Sequence, residues 1–183
     1  MRRFVAALFL VPFLAMSQAA HSTPAPPIGI RVADAPLGPP KPPAPRLSNH
    51  STAHAEVYGF IKSRYGERTA RRFAGLVVAK AEKYALPPLL VAKIINRESS
   101  FRPHVELHGC YGLMQVARFH FKPGQNPRDP ATNLEAGCRV LASYHKRFRS
   151  WPRTLTAYNF GPGATVSRGL RSSRYARQVL AGR

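Results

Sequence analysis

The stretch Pro87-Pro88-Leu89-Leu90-Val91-Ala92-Lys93-Ile94-Ile95-Asn96-Arg97-Glu98-Ser99 decides how the rest of the chain is read. Leu90, Val91, Ile94 and Ile95 recur three and four residues apart, which makes one apolar stripe on a helix and turns it toward a core. The prolines suit a helix start, where a missing N–H costs nothing. Glu98 falls at the next position on the same stripe, so its carboxyl points inward. Two influences then disfavour ionisation: loss of water beside aliphatic neighbours, and the negative end of the helix dipole. Both push the pKa up, and a carboxyl still protonated near neutral pH is what a general acid needs. The plain alternative is a helix-end glutamate turned to solvent or paired with Arg97 or Arg102.

Upstream of that helix, Val57, Ile61 and Tyr65 are four apart and predict a helix over His54–Tyr65, ended by Gly66. Phe73, Leu76, Val77, Ala81 and Tyr84 predict a second over Arg68–Tyr84. Downstream, Pro103 opens a loop, and the apolar piece Tyr111–Val116 reads as a turn or two of helix. Asp129-Pro130 is a capping side chain followed by a residue with fixed φ, and it opens a helix with Leu134, Cys138, Leu141, Tyr144 and Phe148 on one face. Trp151–Asn159 forms another, closed by Gly161-Pro162-Gly163. Ser172 or Ser173 caps the last, in which Tyr175 and Val179 face inward. Arg168, Arg171, Arg174 and Arg177 make a basic stripe there, which a solvated face explains. No stretch alternates with period two for long enough to make a strand, so the expected class is all-α.

The 183 residues leave room for one domain once a proline-dense stretch is set aside. Lys and Arg number 28 against 8 Asp and Glu, a net charge of +20, which points to an anionic polymer or surface as partner. Residues 1–20 have two arginines, an apolar run from Phe4 to Met16 and small residues at Ser17, Ala19 and Ala20, the layout of a cleavable secretory signal. The run is too short to span a bilayer comfortably, and no cysteine follows it to take a lipid, so no stable membrane anchor is expected. Residues 21–50 read as an extended Pro-rich linker, and residues 51–183 as the folded domain. Export argues against nucleic acid as partner and places the mature chain in the periplasm. In that compartment Cys110 and Cys138 are expected to join in a disulfide, with two buried free thiols as the alternative.

Four short pieces together resemble one family. They are Glu98-Ser99-Ser100-Phe101 with Pro103, then Gly112-Leu113-Met114-Gln115, then Asn133-Leu134-Glu135-Ala136-Gly137, then Ala157-Tyr158-Asn159 with Gly161-Pro162-Gly163. In this order and spacing they look like the soluble lytic transglycosylase catalytic domain, related in fold to goose-type lysozyme, from about Ala81 to Leu180. The resemblance implies a lysozyme-like helical domain with a glycan groove. It also implies cleavage of the bond between N-acetylmuramic acid and N-acetylglucosamine in peptidoglycan, closing a 1,6-anhydro sugar without consuming water. One acid suffices, and by carry-over that acid is Glu98. Tyr158 matches the family tyrosine whose hydroxyl reaches the acid, and Ser99, Gln115 and Asn159 match positions at the groove. Asn133 and Glu135 read as structural, and Met114 as packing.

The chain also departs from the family pattern. Phe160 stands where a small residue is usual, Cys110 likewise, and the run Val116–Gln125 lacks the common proline and threonine pattern. No metal or cofactor is expected: His104 and His108 are four apart but lack a third ligand, and Glu106 between them is misplaced for a metalloprotease. Two readings compete within the enzyme class and two outside it. A hydrolase could use Glu98 with Glu106 to activate water, whereas a quiet wall-binding module or a cationic membrane-active protein would need neither. A small domain on a Pro-rich tether, expected as a monomer, favours local wall opening for an envelope-spanning secretion, pilus or conjugation apparatus over general turnover.

Overall fold

Helix α1 (Leu47–Lys83) is two helical arms joined at Gly66, whose φ of 79° and ψ of 171° are open only to glycine without strain. The computed structural model describes residues 47–182. The expected leader and nearly all of the linker lie outside the described residues, but residues 47–50 already belong to α1, so the helix starts earlier than its apolar pattern does. The two arms match the two expected helices. Val57 and Ile61 from the first and Phe73, Val77, Val78 and Ala81 from the second are buried.

Helix α2 (Pro88–Ser99) packs against α1. Its stripe is buried as the spacing requires: Leu90, Val91, Ile94 and Ile95 all join the core. Burial of each such side chain is worth about 1.5–3 kcal/mol, enough for the stripe to set the helix orientation. The helix ends at Ser100, where φ is 53° and the N–H returns to the carbonyls of Ile95 and Asn96. Phe101 follows with φ of 57° and is buried against Tyr65 and Phe73, ring centroids 5.3 and 6.0 Å away. Two left-handed residues in a row turn the chain sharply and hold the Glu98 end of α2 in place.

Beyond that turn the mostly helical chain carries one small sheet, where the sequence suggests a turn or two of helix. β1 (Glu106–Leu107), β2 (Cys110–Tyr111) and β3 (Val116–Ala117) form a small antiparallel sheet in the order β1-β2-β3, with Leu107 opposite Cys110 and Tyr111 opposite Val116. The apolar piece read as helix is therefore strand, turn and strand. Strands of two residues are too short to leave any alternation in the sequence. A single 3₁₀ turn, Arg118–His120, follows.

Helix α3 (Pro130–Phe148) starts as expected, with the Asp129 carboxylate accepting from the Thr132 N–H at 2.8 Å. α4 (Trp151–Phe160) packs on α3, on the short α5 (Pro162–Ser167) and on α6 (Arg174–Leu180), which also touches α2. Ser173, rather than Ser172, caps α6 by accepting from the Ala176 N–H at 3.1 Å. The four arginines of the basic stripe are all exposed. The class remains mostly helical, and no described helix is long and apolar enough to cross a membrane.

Candidate active site

The motif pieces meet because two of them interlock. Asn133, buried at the start of α3, accepts from the Met114 N–H at 2.8 Å and donates to the carbonyls of Tyr111 and Pro127 at 2.7 and 2.9 Å. This clamp holds the Gly112–Gln115 turn against α3. Gly112 has φ of 72°, and a Cβ there would lie 2.4 Å from the Asn133 amide nitrogen. Four residues along, a Cβ on Gly137 would lie 2.4 Å from the Met114 sulfur and 2.9 Å from its Cβ. The glycine of each of these two motifs thus makes room for a residue of the other. Glu135 ties the same helix to the end of α1, accepting from Lys80 at 2.7 Å, from Lys83, and from Tyr84 at 2.5 Å. Burial alone would raise its carboxyl, but those donors outweigh burial and hold it at about 2. Asn133 and Glu135 are structural, as their positions suggested.

Over this platform Glu98 keeps some accessible surface while its carboxyl is densely surrounded by protein. Burial pushes its pKa up from the ordinary 4.5 to about 7; the Tyr175 hydroxyl and, more weakly, the charge of Arg97 pull it back. Neither arginine considered from the sequence pairs with it. Arg97 is exposed, and the Arg102 Nε donates to the Ser99 carbonyl at 3.1 Å. Such a carboxyl is half protonated near neutrality and can both give and take a proton.

The tyrosine on Glu98 is not the one the resemblance implied. Tyr175 of α6 donates to Glu98 Oε1 at 2.5 Å, whereas Tyr158 of α4 donates to the Met114 carbonyl at 2.9 Å. Both phenols are held well above their ordinary value of 10.0, by burial first and by the Glu98 charge next, so both stay neutral donors. Tyr158 is close enough to feel the Glu98 charge, but its hydroxyl braces the turn. Tyr175 lies 77 positions from Glu98, and the only sign of it in the sequence is its inward place on the last helix.

The remaining candidates divide. Ser99, expected at the groove, is buried and donates to the Leu113 carbonyl at 2.8 Å, so its hydroxyl joins α2 to the turn. Gln115, with φ of 48°, donates both amide hydrogens to backbone, at 3.0 Å to Val105 and 2.9 Å to Gly112, which leaves its carbonyl as an acceptor. Asn159 and Phe160 are exposed at the end of α4 beside Tyr158. Phe160 therefore lies at the surface rather than in the core. Glu106 is exposed on β1 and its carboxylate is taken by Arg128, so the structure ties it to that arginine and not to Glu98.

The expected bridge between Cys110 and Cys138 is not formed in the structure, where both are free cysteines. Burial raises both free thiols, Cys138 to about 12, so in this reduced form both are neutral. Both lie near Tyr158. Among the described residues no three His, Cys, Asp or Glu side chains gather as a metal site.

Comparison with known proteins bears on the same residues. Positions 75–179 match the family model described as the Transglycosylase SLT domain. The chain is 30% identical over 146 residues to a membrane-bound lytic murein transglycosylase C of Salmonella paratyphi B, which covers 66% of this chain and 41% of that protein. It is 25% identical over 162 residues to the protein of the same name from Sodalis glossinidius, covering 75% of this chain and 45% of the relative. The chain thus spans less than half the length of these relatives. The family match covers over half of the 183 residues, including Glu98, the Asn133 clamp and both tyrosines, and on it the chain belongs to the transglycosylase SLT domain family, with its lysozyme-like helical fold.

Proposed function

We propose that this protein is a peptidoglycan lytic transglycosylase in which Glu98 serves alone as acid and then base. The observation that carries the proposal is the Glu98 carboxyl: buried enough to have a pKa of about 7, yet held by the Tyr175 hydroxyl in one orientation. The protonated carboxyl gives its proton to the oxygen leaving C1 of the muramic sugar, and the C1–O bond breaks. The positive charge that develops at C1 is shared by the substrate's own N-acetyl group. Glu98, now a carboxylate stabilised by Tyr175, takes the proton of the sugar's 6-hydroxyl as that oxygen closes on C1. The proton that left Glu98 has been replaced, no water is consumed, and no second carboxylate is required. Tyr175 acts on Glu98, not on the sugar: a neutral donor favours the ionised form and so limits how far burial raises the acid. The Gln115 carbonyl and the exposed Asn159 amide are the polar groups we assign to sugar hydroxyls and acetamides.

The names of the relatives, lytic murein transglycosylases, support the same reaction class. We further propose that the mature chain works as a monomer in the periplasm, reached through the leader at residues 1–20, and opens the wall locally for an envelope-spanning apparatus. There, two-electron oxidation by an exported disulfide oxidoreductase would join Cys110 and Cys138 with loss of two protons. The closed loop of about 29 residues is worth about 3–4 kcal/mol on the chain-entropy model. Intact mass of the periplasmic protein with and without reductant reads this pairing, and quantitative thiol labelling without reductant would exclude it.

The test of the activity is mass analysis of fragments released from purified sacculi. Products ending in 1,6-anhydro sugars, one water lighter than reducing ends, are expected. Reducing ends would instead indicate a hydrolase using Glu106, and intact sacculi a wall-binding module.

A further inference from the structure

At the far end of α4 from Tyr158, residues Ser150, Pro152 and Arg153 line an open cavity together with Arg171 and Ser172, the residues just before α6. Its volume is about 500 Å³, within the range of ligand pockets and well beyond one bare ion. The Arg153 Nε is the one buried side-chain nitrogen or oxygen among the described residues with no hydrogen-bond partner. A buried donor left without an acceptor costs about 1–3 kcal/mol, more on a charged group, and native proteins keep few of them. The guanidinium lies over the Phe148 ring, 5.3 Å from its centroid, which limits how it can turn to find another acceptor.

The other polar groups of the cavity are also uncommitted. Ser150 makes no side-chain cap on α4, and Ser173 caps α6 in place of Ser172. The ion pairs among the described residues leave out both Arg153 and Arg171. Two guanidinium forks with two hydroxyls suit a planar oxyanion, which an arginine can grip with two parallel N–H donors.

We propose that this cavity is a subsite for a carboxylate of the peptide stems that hang from the glycan. The inference rests on the peptidoglycan reading above and extends it from the sugar chain to its substituents. The same two segments frame the cavity and the acid: α4 runs from Pro152 to Tyr158 over about 9 Å of helix rise, and Ser172 is three residues before Tyr175. The uncommitted guanidinium groups of Arg153 and Arg171 supply the chemistry for a carboxylate, and the depression is open enough to admit one carried on a peptide.

The test follows the arginine Nε–H resonances of the full chain while a soluble stem peptide, the same peptide with its carboxylates amidated, or inorganic phosphate is added. Saturable shifts at Arg153 and Arg171 with the free-acid peptide are expected, with at least about tenfold weaker binding of the amidated form. Arg153→Lys, which keeps the charge and loses the fork, should weaken the free-acid peptide about tenfold. If that variant fails to fold, the exposed Arg171→Gln takes the same measurement. Equal shifts with acid and amide peptides, tighter binding of phosphate than of peptide, or no saturable shift would each overturn the subsite. The lytic reading is read separately by product mass: cleavage without carboxylate-dependent shifts defeats the subsite alone, and shifts without cleavage defeat the activity alone.

Discussion

At Glu98 burial and a single phenol act in opposite directions, and a balance near neutral pH is what the proposed acid-then-base role requires. Replacing Tyr175 with Phe removes the donor that favours the carboxylate, so the Glu98 pKa should rise above about 7 and the alkaline limb of the pH-rate profile should move upward. An unchanged limb would mean the hydrogen bond does not tune the acid. The raised pKa also has a consequence for stability. Between 4.5 and about 7 the folded protein keeps a proton that the unfolded chain has lost, so Glu98 costs nothing below pH 4.5 and about 3 kcal/mol above pH 7. Stability should fall as pH rises through that window in the wild type relative to Glu98→Gln, which has no proton to lose. Denaturant titrations at pH 4.5 and 7.5 measure the difference, and parallel curves would contradict the burial of the acid. The inward direction of Glu98 was legible from its stripe because helix periodicity is local. Its partner was not, since nothing in the sequence relates two residues 77 positions apart until the fold brings α6 against α2.

Among the elements, the helices followed from periodicity, capping and breakers: Gly66 splits α1, Asp129-Pro130 starts α3, and Ser173 starts α6. The small sheet did not, because two-residue strands are specified by the clamp from Asn133 and the turn at Gly112 rather than by any pattern of their own. That dependence is testable. Asn133→Ala leaves a buried Met114 N–H and two carbonyls without their partner, and should cost about 2–4 kcal/mol in urea unfolding, with activity lost along with the turn. Gly137→Ala should cost about 1–3 kcal/mol, because the Met114 Cβ that it meets cannot swing away as a side-chain tip can. Loss below about 0.5 kcal/mol in both would show that the motifs do not interlock. Ser99 has a structural bond that its motif did not announce. Its place beside Glu98 in the motif suggested a contact with substrate, but a helix end that must join a neighbouring turn uses the nearest hydroxyl to do so.

For the whole molecule, a net charge of +20 against an anionic wall predicts association that weakens with salt, as screening shortens to about 8–10 Å near physiological ionic strength. Sedimentation of the protein with sacculi across a salt series checks this; binding indifferent to salt would leave the groove to carry the affinity alone. Charge bears on association with the wall, whereas the proposed chemistry depends on one carboxyl. The most direct measurement is therefore turnover of purified sacculi by Glu98→Gln beside the wild type, with binding to the same sacculi recorded in parallel. The substitution keeps shape and removes the transferable proton. Binding should be retained while release of anhydro products falls by at least about 10²- to 10⁴-fold, and full wild-type turnover in Glu98→Gln would contradict the account.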